Sequence, residues 1–193
     1  MPAIPPKTKV PLMFLPLWRY VDFQGRSRRT EFWLWCLFQV LVFMGLEALL
    51  FGTMPWASLQ NHPEAASAHL MSFIPFLNLV QLALFLPNLA VSVRRLHDSN
   101  RTGWWVLMPL GVIIAGLILW AIINAGTFAH LDQLKNNDGK PLLAFLGSLV
   151  LCVYLPALVA GVVIFVFYVL DGTPGNNRFG PDPKGRGNID VFN

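Results

Sequence analysis

The chain has 193 residues, of which 55% are hydrophobic and only 12% charged, whereas soluble domains carry about a quarter charged residues. Each crossing of a bilayer needs about 20 apolar residues, so this is a membrane protein with room for at most about five spans, and a large soluble catalytic domain is excluded. The net charge of +4 is small, so where the charges fall matters more than their sum.

Residues 1–30 carry Lys7, Lys9, Arg19, Arg26, Arg28 and Arg29 without a long apolar stretch. No cleavable signal peptide is expected there, and the first apolar run serves as the insertion signal. Within this segment PLMFLPLW, residues 11–18, is too short to cross and reads as lying on the membrane surface. Four apolar windows follow, at about 31–53, 70–92, 104–125 and 142–169. Pro75 and Pro87 mark the second as irregular, and Pro156 leaves both a tilted and a kinked fourth helix open. Such prolines are tolerated where a neighbour satisfies the carbonyls they free.

Asn78, Gln81, Asn88 and Ser92 recur along one side of the second window. They are expected to hydrogen-bond to neighbouring helices, or else to line a polar path. Glu47 is the only acidic residue deep in a span and falls near its outer end. Cys36 and Cys152 sit in apolar runs at depths differing by roughly 20 Å, too far apart for a disulfide.

Twelve of the 14 basic residues fall before the first window, between the second and third, or after the fourth. The positive-inside rule then places both termini in the cytoplasm. Trp18, Tyr20, Trp33, Trp35, Trp104, Trp105 and Tyr168 collect at the same interface, with Trp56 and Trp120 at the opposite one, as expected of aromatic belts. The expected fold is an all-α integral membrane protein, four transmembrane helices packed as a bundle, N and C termini cytoplasmic. Its parts are a cytoplasmic segment 1–30, a transmembrane domain 31–170 and a turn-rich tail 171–193.

Three polar motifs fall at three helix ends on that cytoplasmic side. FQGRSRRTEFW presents Arg26, Arg28 and Arg29 after a Gly turn, with Thr30 a candidate helix cap. RRLHDSNRTGWW packs Arg94, Arg95, His97, Asp98 and Arg101 into what reads as a short loop, with Ser99 or Thr102 capping the third span. DGTPGNNRFGPDPKG, which includes Asn177 and Arg178, reads as a string of turns whose backbone amides could form an anion-binding nest. Taken in this order, over about residues 18–184, the motifs resemble the YhaH-like family of bacterial inner membrane proteins, the family of unknown function numbered 805. The resemblance implies a four-span bacterial inner membrane protein, and it supplies no established activity or site residues.

On the residues themselves, Arg26, Arg28, Arg29, Arg94, Arg95, His97, Asp98, Arg101, Asn177 and Arg178 are candidates for binding an anionic lipid headgroup or a phosphate, because guanidinium forks suit phosphate oxygens. The competing reading is structural: the arginines hold loops in the cytoplasm and pair with Asp22, Glu31, Asp98 and Asp171. A scaffold or assembly subunit, as a homo-oligomer or with a membrane protein partner, and a small channel or transporter using the Gln81–Asn88 stripe, are the alternatives. An enzyme has the least support, since no nucleophile motif is present and the adjacent His97 and Asp98 are expected to point apart. No cofactor is implied. No metal site is expected, since His62, Glu64 and His69 lack ligand spacing and the tail's Asp171, Asn176, Asn177 and Asp182 miss the calcium-loop pattern. The basic residues hug the bilayer, so nucleic acid is not an expected partner.

Overall fold

The computed structural model describes residues 10–58, 64–129 and 139–186; His62 lies outside these. Among the described residues, four helices are long and apolar enough to cross a bilayer: Arg29–Gly52, Glu64–Asp98, Gly103–Ile123 and Lys140–Val169. They fall into two units, one formed by the chain up to Asn100 together with the tail from Gly172, the other by Arg101–Asp171.

In the first unit, a one-turn helix α1 (Leu15–Trp18) packs on α2 (Arg29–Gly52) and α3 (Glu64–Asp98). Pro16 is buried in α1, Phe14 meets the edge of the Phe38 ring at 5.4 Å, and Trp18 stays 73% exposed. α2 begins at Arg29, so Thr30 lies inside the helix and the helix has no side-chain cap. Its first turn carries Glu31 instead, an acid that suits the positive end of the helix dipole. At its far end the Thr53 hydroxyl donates to Leu49 O at 2.7 Å, and His69 Nε2 lies 3.2 Å from both Thr53 Oγ1 and Leu50 O. His69 therefore ties the end of α2 to the start of α3.

α3 has 35 residues, about 52 Å at 1.5 Å per residue, and it outruns a hydrocarbon core roughly 30 Å thick. The RRLHD segment expected to be a loop is its last turns. The stop lies later, at Asn100, whose φ of 58° is a left-handed conformation that asparagine tolerates better than most residues. Pro75 and Pro87 both sit inside the continuous helix. Pro87 has no N–H for the carbonyl four residues earlier, that of Ala83, and the Tyr20 hydroxyl donates to that carbonyl at 2.5 Å. The segment before α2 thus supplies the bond that lets α3 pass its second proline unbroken. The unit's apolar core, Phe32, Trp35, Ala90, Val91 and Leu96, lies toward the arginine-bearing ends of α2 and α3.

In the second unit, a 3₁₀ turn (Gly103–Leu107) leads into α4 (Met108–Ile123), a short α5 (Ala125–Ala129), and then α6 (Lys140–Leu149) and α7 (Leu155–Val169). Asn124 closes α4 by bonding Trp120 O at 2.9 Å and Ser148 Oγ at 3.1 Å. α6 and α7 are joined by one stretch of π-helix, Val150–Tyr154, directly ahead of Pro156. The wider π turn is where the helix accommodates a proline that cannot donate to Cys152 O. That carbonyl lies against Gly116 of α4, and a Cβ on Gly116 would also come within 3.1 Å of Val153 Cα. Gly116→Val is therefore expected to push α4 off the π turn and lower stability by about 1–3 kcal/mol, read as reduced resistance to denaturant in micelles.

Candidate functional site

The three motifs meet in the first unit. The chain ahead of α2 reaches the end of α3 through Ser27 N, which donates to Arg94 O at 3.1 Å. The tail reaches the same place through Thr173 N, which donates to Asp98 O at 2.9 Å. Gly172 makes this approach possible, because a Cβ there would lie 2.6 Å from Asp98 Oδ1.

Arg26 is the pin. Its Nε donates to Asp98 Oδ1 at 2.9 Å, its Nη1 to Gly175 O at 2.7 Å, and its Nη2 to Thr173 O at 2.6 Å. Arg95 Nη1 donates to the other Asp98 oxygen at 2.7 Å, so two buried guanidiniums share one buried carboxylate. Arg94, fully buried, pairs with Glu31 at 3.1 Å and gives its Nη1 to the carbonyls of Asp22 and Arg19, while its Nε is buried without an acceptor among the described residues. On the surface side, Arg19 closes the turn through Asp22 at 2.7 Å. Burial raises the Asp22 carboxyl, but the Arg19 guanidinium and the Gln24 amide outweigh that and hold it below its ordinary value.

The tail folds on itself as well as on α3. Asn177 and Gly180 exchange backbone bonds at 3.1 Å, a tight turn that lays the Phe179 ring flat on His97 with centroids 3.8 Å apart. Asn177 Nδ2 donates to His97 O at 2.9 Å and to Thr173 Oγ1 at 3.1 Å. Arg178 donates to Asn100 O at 3.1 Å and lies over the Phe179 ring. His97 turns its Nδ1 toward Gly25 O at 3.2 Å, away from Asp98, so the two neighbours point apart on a helix rather than in the expected loop.

The expected nest of tail amides is occupied by the chain's own carboxylate. Asp182 Oδ1 accepts from Lys184 N at 2.9 Å, and Oδ2 accepts from Arg186 N at 3.3 Å and Arg186 Nε at 2.9 Å. Burial by itself raises the Asp182 carboxyl, yet these donors outweigh it and bring it down to about 2 from an ordinary 3.8. A folded value below the unfolded one means a contribution present above about pH 4 and lost as pH falls through about 2. Protection of the tail from protease is therefore expected to be unchanged from pH 7 to pH 5 and to lose Asp182's contribution only in the strongly acid range.

Of the ten motif candidates, Arg26, Arg94, Arg95, His97, Asp98, Asn177 and Arg178 belong to one network. Arg26, Arg94 and Arg95 are buried and bonded to the protein's own carboxylates and carbonyls. Arg28 is exposed and its guanidinium has no partner among the described residues, and Arg29 is half-buried. Arg101 falls in the other unit, where it lies 3.9 Å over the Phe167 ring. Ser99 bonds Leu96 O at the end of α3, and Thr102 makes no capping bond for the 3₁₀ turn. On the α3 stripe, Ser92 is buried, and Asn88 Oδ1 accepts from Trp35 Nε1 at 3.3 Å and Gln39 Nε2 at 3.2 Å. Asn78 and Gln81 are exposed. Among the described residues, no group of three His, Cys, Asp or Glu is placed to hold a metal.

A family model described as "Protein of unknown function (DUF805)" matches residues 20–181, which takes in all three motifs. The chain belongs to the DUF805 family. Within reach are the inner membrane protein YhaH of Escherichia coli strain K12, 30% identical over 165 residues that cover 86% of this chain and 89% of YhaH, and the inner membrane protein YhaI, 28% identical over 168 residues covering 86% and 88%. The uncharacterized protein YiiR of the same organism is 25% identical over 173 residues, 89% of this chain and 92% of its own length. No solved structure matches. This DUF805 member is a multi-pass inner membrane protein with four candidate spans.

Proposed function

We propose that this protein is a non-catalytic membrane module, with both termini in the cytoplasm, that holds anionic headgroup phosphates at its cytoplasmic face. One observation carries the reading: Arg26 joins the segment before α2, the end of α3 and the tail after α7. Those three segments hold ten of the 14 basic residues together with the described part of the termini, and charge of this sign belongs on the cytoplasmic side. Because Arg26, Arg94 and Arg95 are consumed inside the network, headgroup contact falls to the outward cations, chiefly Arg28 and Arg178, both exposed. The anionic leaflet contributes about 1 kcal/mol per basic residue near its surface, enough for enrichment of a lipid class without a deep pocket.

The test is reconstitution into nanodiscs of mixed phosphatidylglycerol and phosphatidylcholine. Wild type is expected to retain phosphatidylglycerol on delipidation, and Arg28→Gln with Arg178→Gln to retain roughly a thirtieth as much, from about 1 kcal/mol lost per residue. Equal retention by both proteins contradicts the proposal.

A further inference from the structure

We propose that the turn Arg19–Asp22 is a removable splint across Pro87, so that the place of the segment ahead of α2 sets the bend of α3. Every bond involved lies within the first unit, and none depends on lipid. A proline inside a helix frees the carbonyl four residues earlier and crowds it with its ring, and the usual result is a kink of more than about 20°. Here that carbonyl is Ala83 O, about 16 Å along α3 from Arg94 at 1.5 Å per residue. With Arg94 at headgroup level, it falls inside a hydrocarbon core about 30 Å thick. Water is absent at that depth, so the donor that replaces the missing N–H comes from protein.

The splint has two feet, one on each side of the proline. Ahead of Pro87, the Tyr20 hydroxyl donates to Ala83 O at 2.5 Å. Beyond it, Arg94 Nη1 donates to Arg19 O at 3.4 Å and to Asp22 O, the two carbonyls that flank Tyr20 in sequence. The turn is stiffened from within, since Arg19 Nε donates to Asp22 Oδ2 at 2.8 Å and Gln24 N to Asp22 Oδ1 at 3.0 Å. The buried residues of α3 run from Pro87 to Asp98, so the helix beyond the proline is anchored in the core. Tyr20 aligns the part ahead of the proline with that anchor. A backbone N–H cannot leave its carbonyl without unwinding the helix, whereas a phenol carried by another segment can. The bend of α3 is therefore switchable, with Pro87 as the hinge.

The test measures the separation of spin labels at Phe51→Cys on α2 and Met71→Cys on α3, both exposed positions, in the full chain reconstituted in bilayers with Cys36 and Cys152 changed to Ser. Without further substitution one narrow distance is expected. Tyr20→Phe is expected to add a component displaced by about 8 Å, from a bend of about 20° over the roughly 24 Å between Met71 and Pro87. Pro87→Ala returns an N–H to Ala83 O, so Tyr20→Phe placed on Pro87→Ala is expected to keep the narrow distance. Asp22→Ala leaves the hydroxyl but unties the turn, and is expected to populate the displaced component less than Tyr20→Phe does. An unchanged distance in Tyr20→Phe, a displaced component that survives Pro87→Ala, or Asp22→Ala identical to wild type each overturns the proposal. If Tyr20→Phe alone does not accumulate, Tyr20→Phe with Pro87→Ala is expected to accumulate as wild type does, and failure of both overturns it as well.

Discussion

Asp98→Asn is expected to lower stability by about 3–5 kcal/mol and to release the tail, although the side chain keeps its shape. The buried carboxylate answers two guanidiniums, Arg26 through Oδ1 and Arg95 through Oδ2. Neutralising it leaves both cations in a site where Arg26 and Asp98 side chains are 1% and 2% exposed, and an uncompensated buried charge is among the costliest defects a fold can carry. The next carboxylate, Asp182, is 4.0 Å from Arg26 and already accepts from Arg186. The comparison variant is Arg26→Lys, which keeps the charge but has no fork to span Asp98, Thr173 and Gly175 together. It is expected to lose tail protection with a smaller loss of stability. Denaturant titration in micelles reads the first quantity and limited proteolysis the second.

The other large effect is expected at the Glu31–Arg94 pair. Glu31→Gln removes the carboxylate paired with Arg94, whose Nε has no acceptor among the described residues, and is expected to cost roughly 3 kcal/mol. Arg94→Met is expected to cost a similar amount, since it also strips donors from the Asp22 and Arg19 carbonyls. The pair is buried and each partner's loss strands the other, so the double variant should be well short of the sum. Purely additive effects would mean that the two residues act separately. The pair fastens the first turn of α2 to the last turns of α3 and, through Asp22, fastens the segment ahead of α2 as well.

Hydropathy made the four spans legible to within a few residues, except where α3 continues past the bilayer. That extension was hidden because charged residues in a membrane protein read as loop, whereas Arg94, Arg95 and Asp98 are solvated by each other and by the tail. Asn100 was the available stop signal. The convergence of the three motifs followed from counting crossings, because an even number of spans must return the chain to the side it left. The inward orientation of Arg26, Arg94 and Arg95 did not follow, since an arginine facing a phosphate and one facing Asp98 have the same local sequence. Tyr20 is a sharper case: its bond to Ala83 O depends on a proline 67 residues away, a pairing no window of sequence contains. Gly172 likewise reads as one more turn residue until the Asp98 carboxylate is found against it.

That the tail is locked onto the end of α3 by Arg26 is tested most directly by amide hydrogen exchange across residues 172–186 in the micelle-bound protein. Thr173, Asn177 and Gly180 have bonded amides, so they should exchange far more slowly than an unstructured peptide, and Arg26→Gln should bring them close to the unstructured rate. Free exchange of these amides in the wild type, or protection untouched by Arg26→Gln, would contradict the lock.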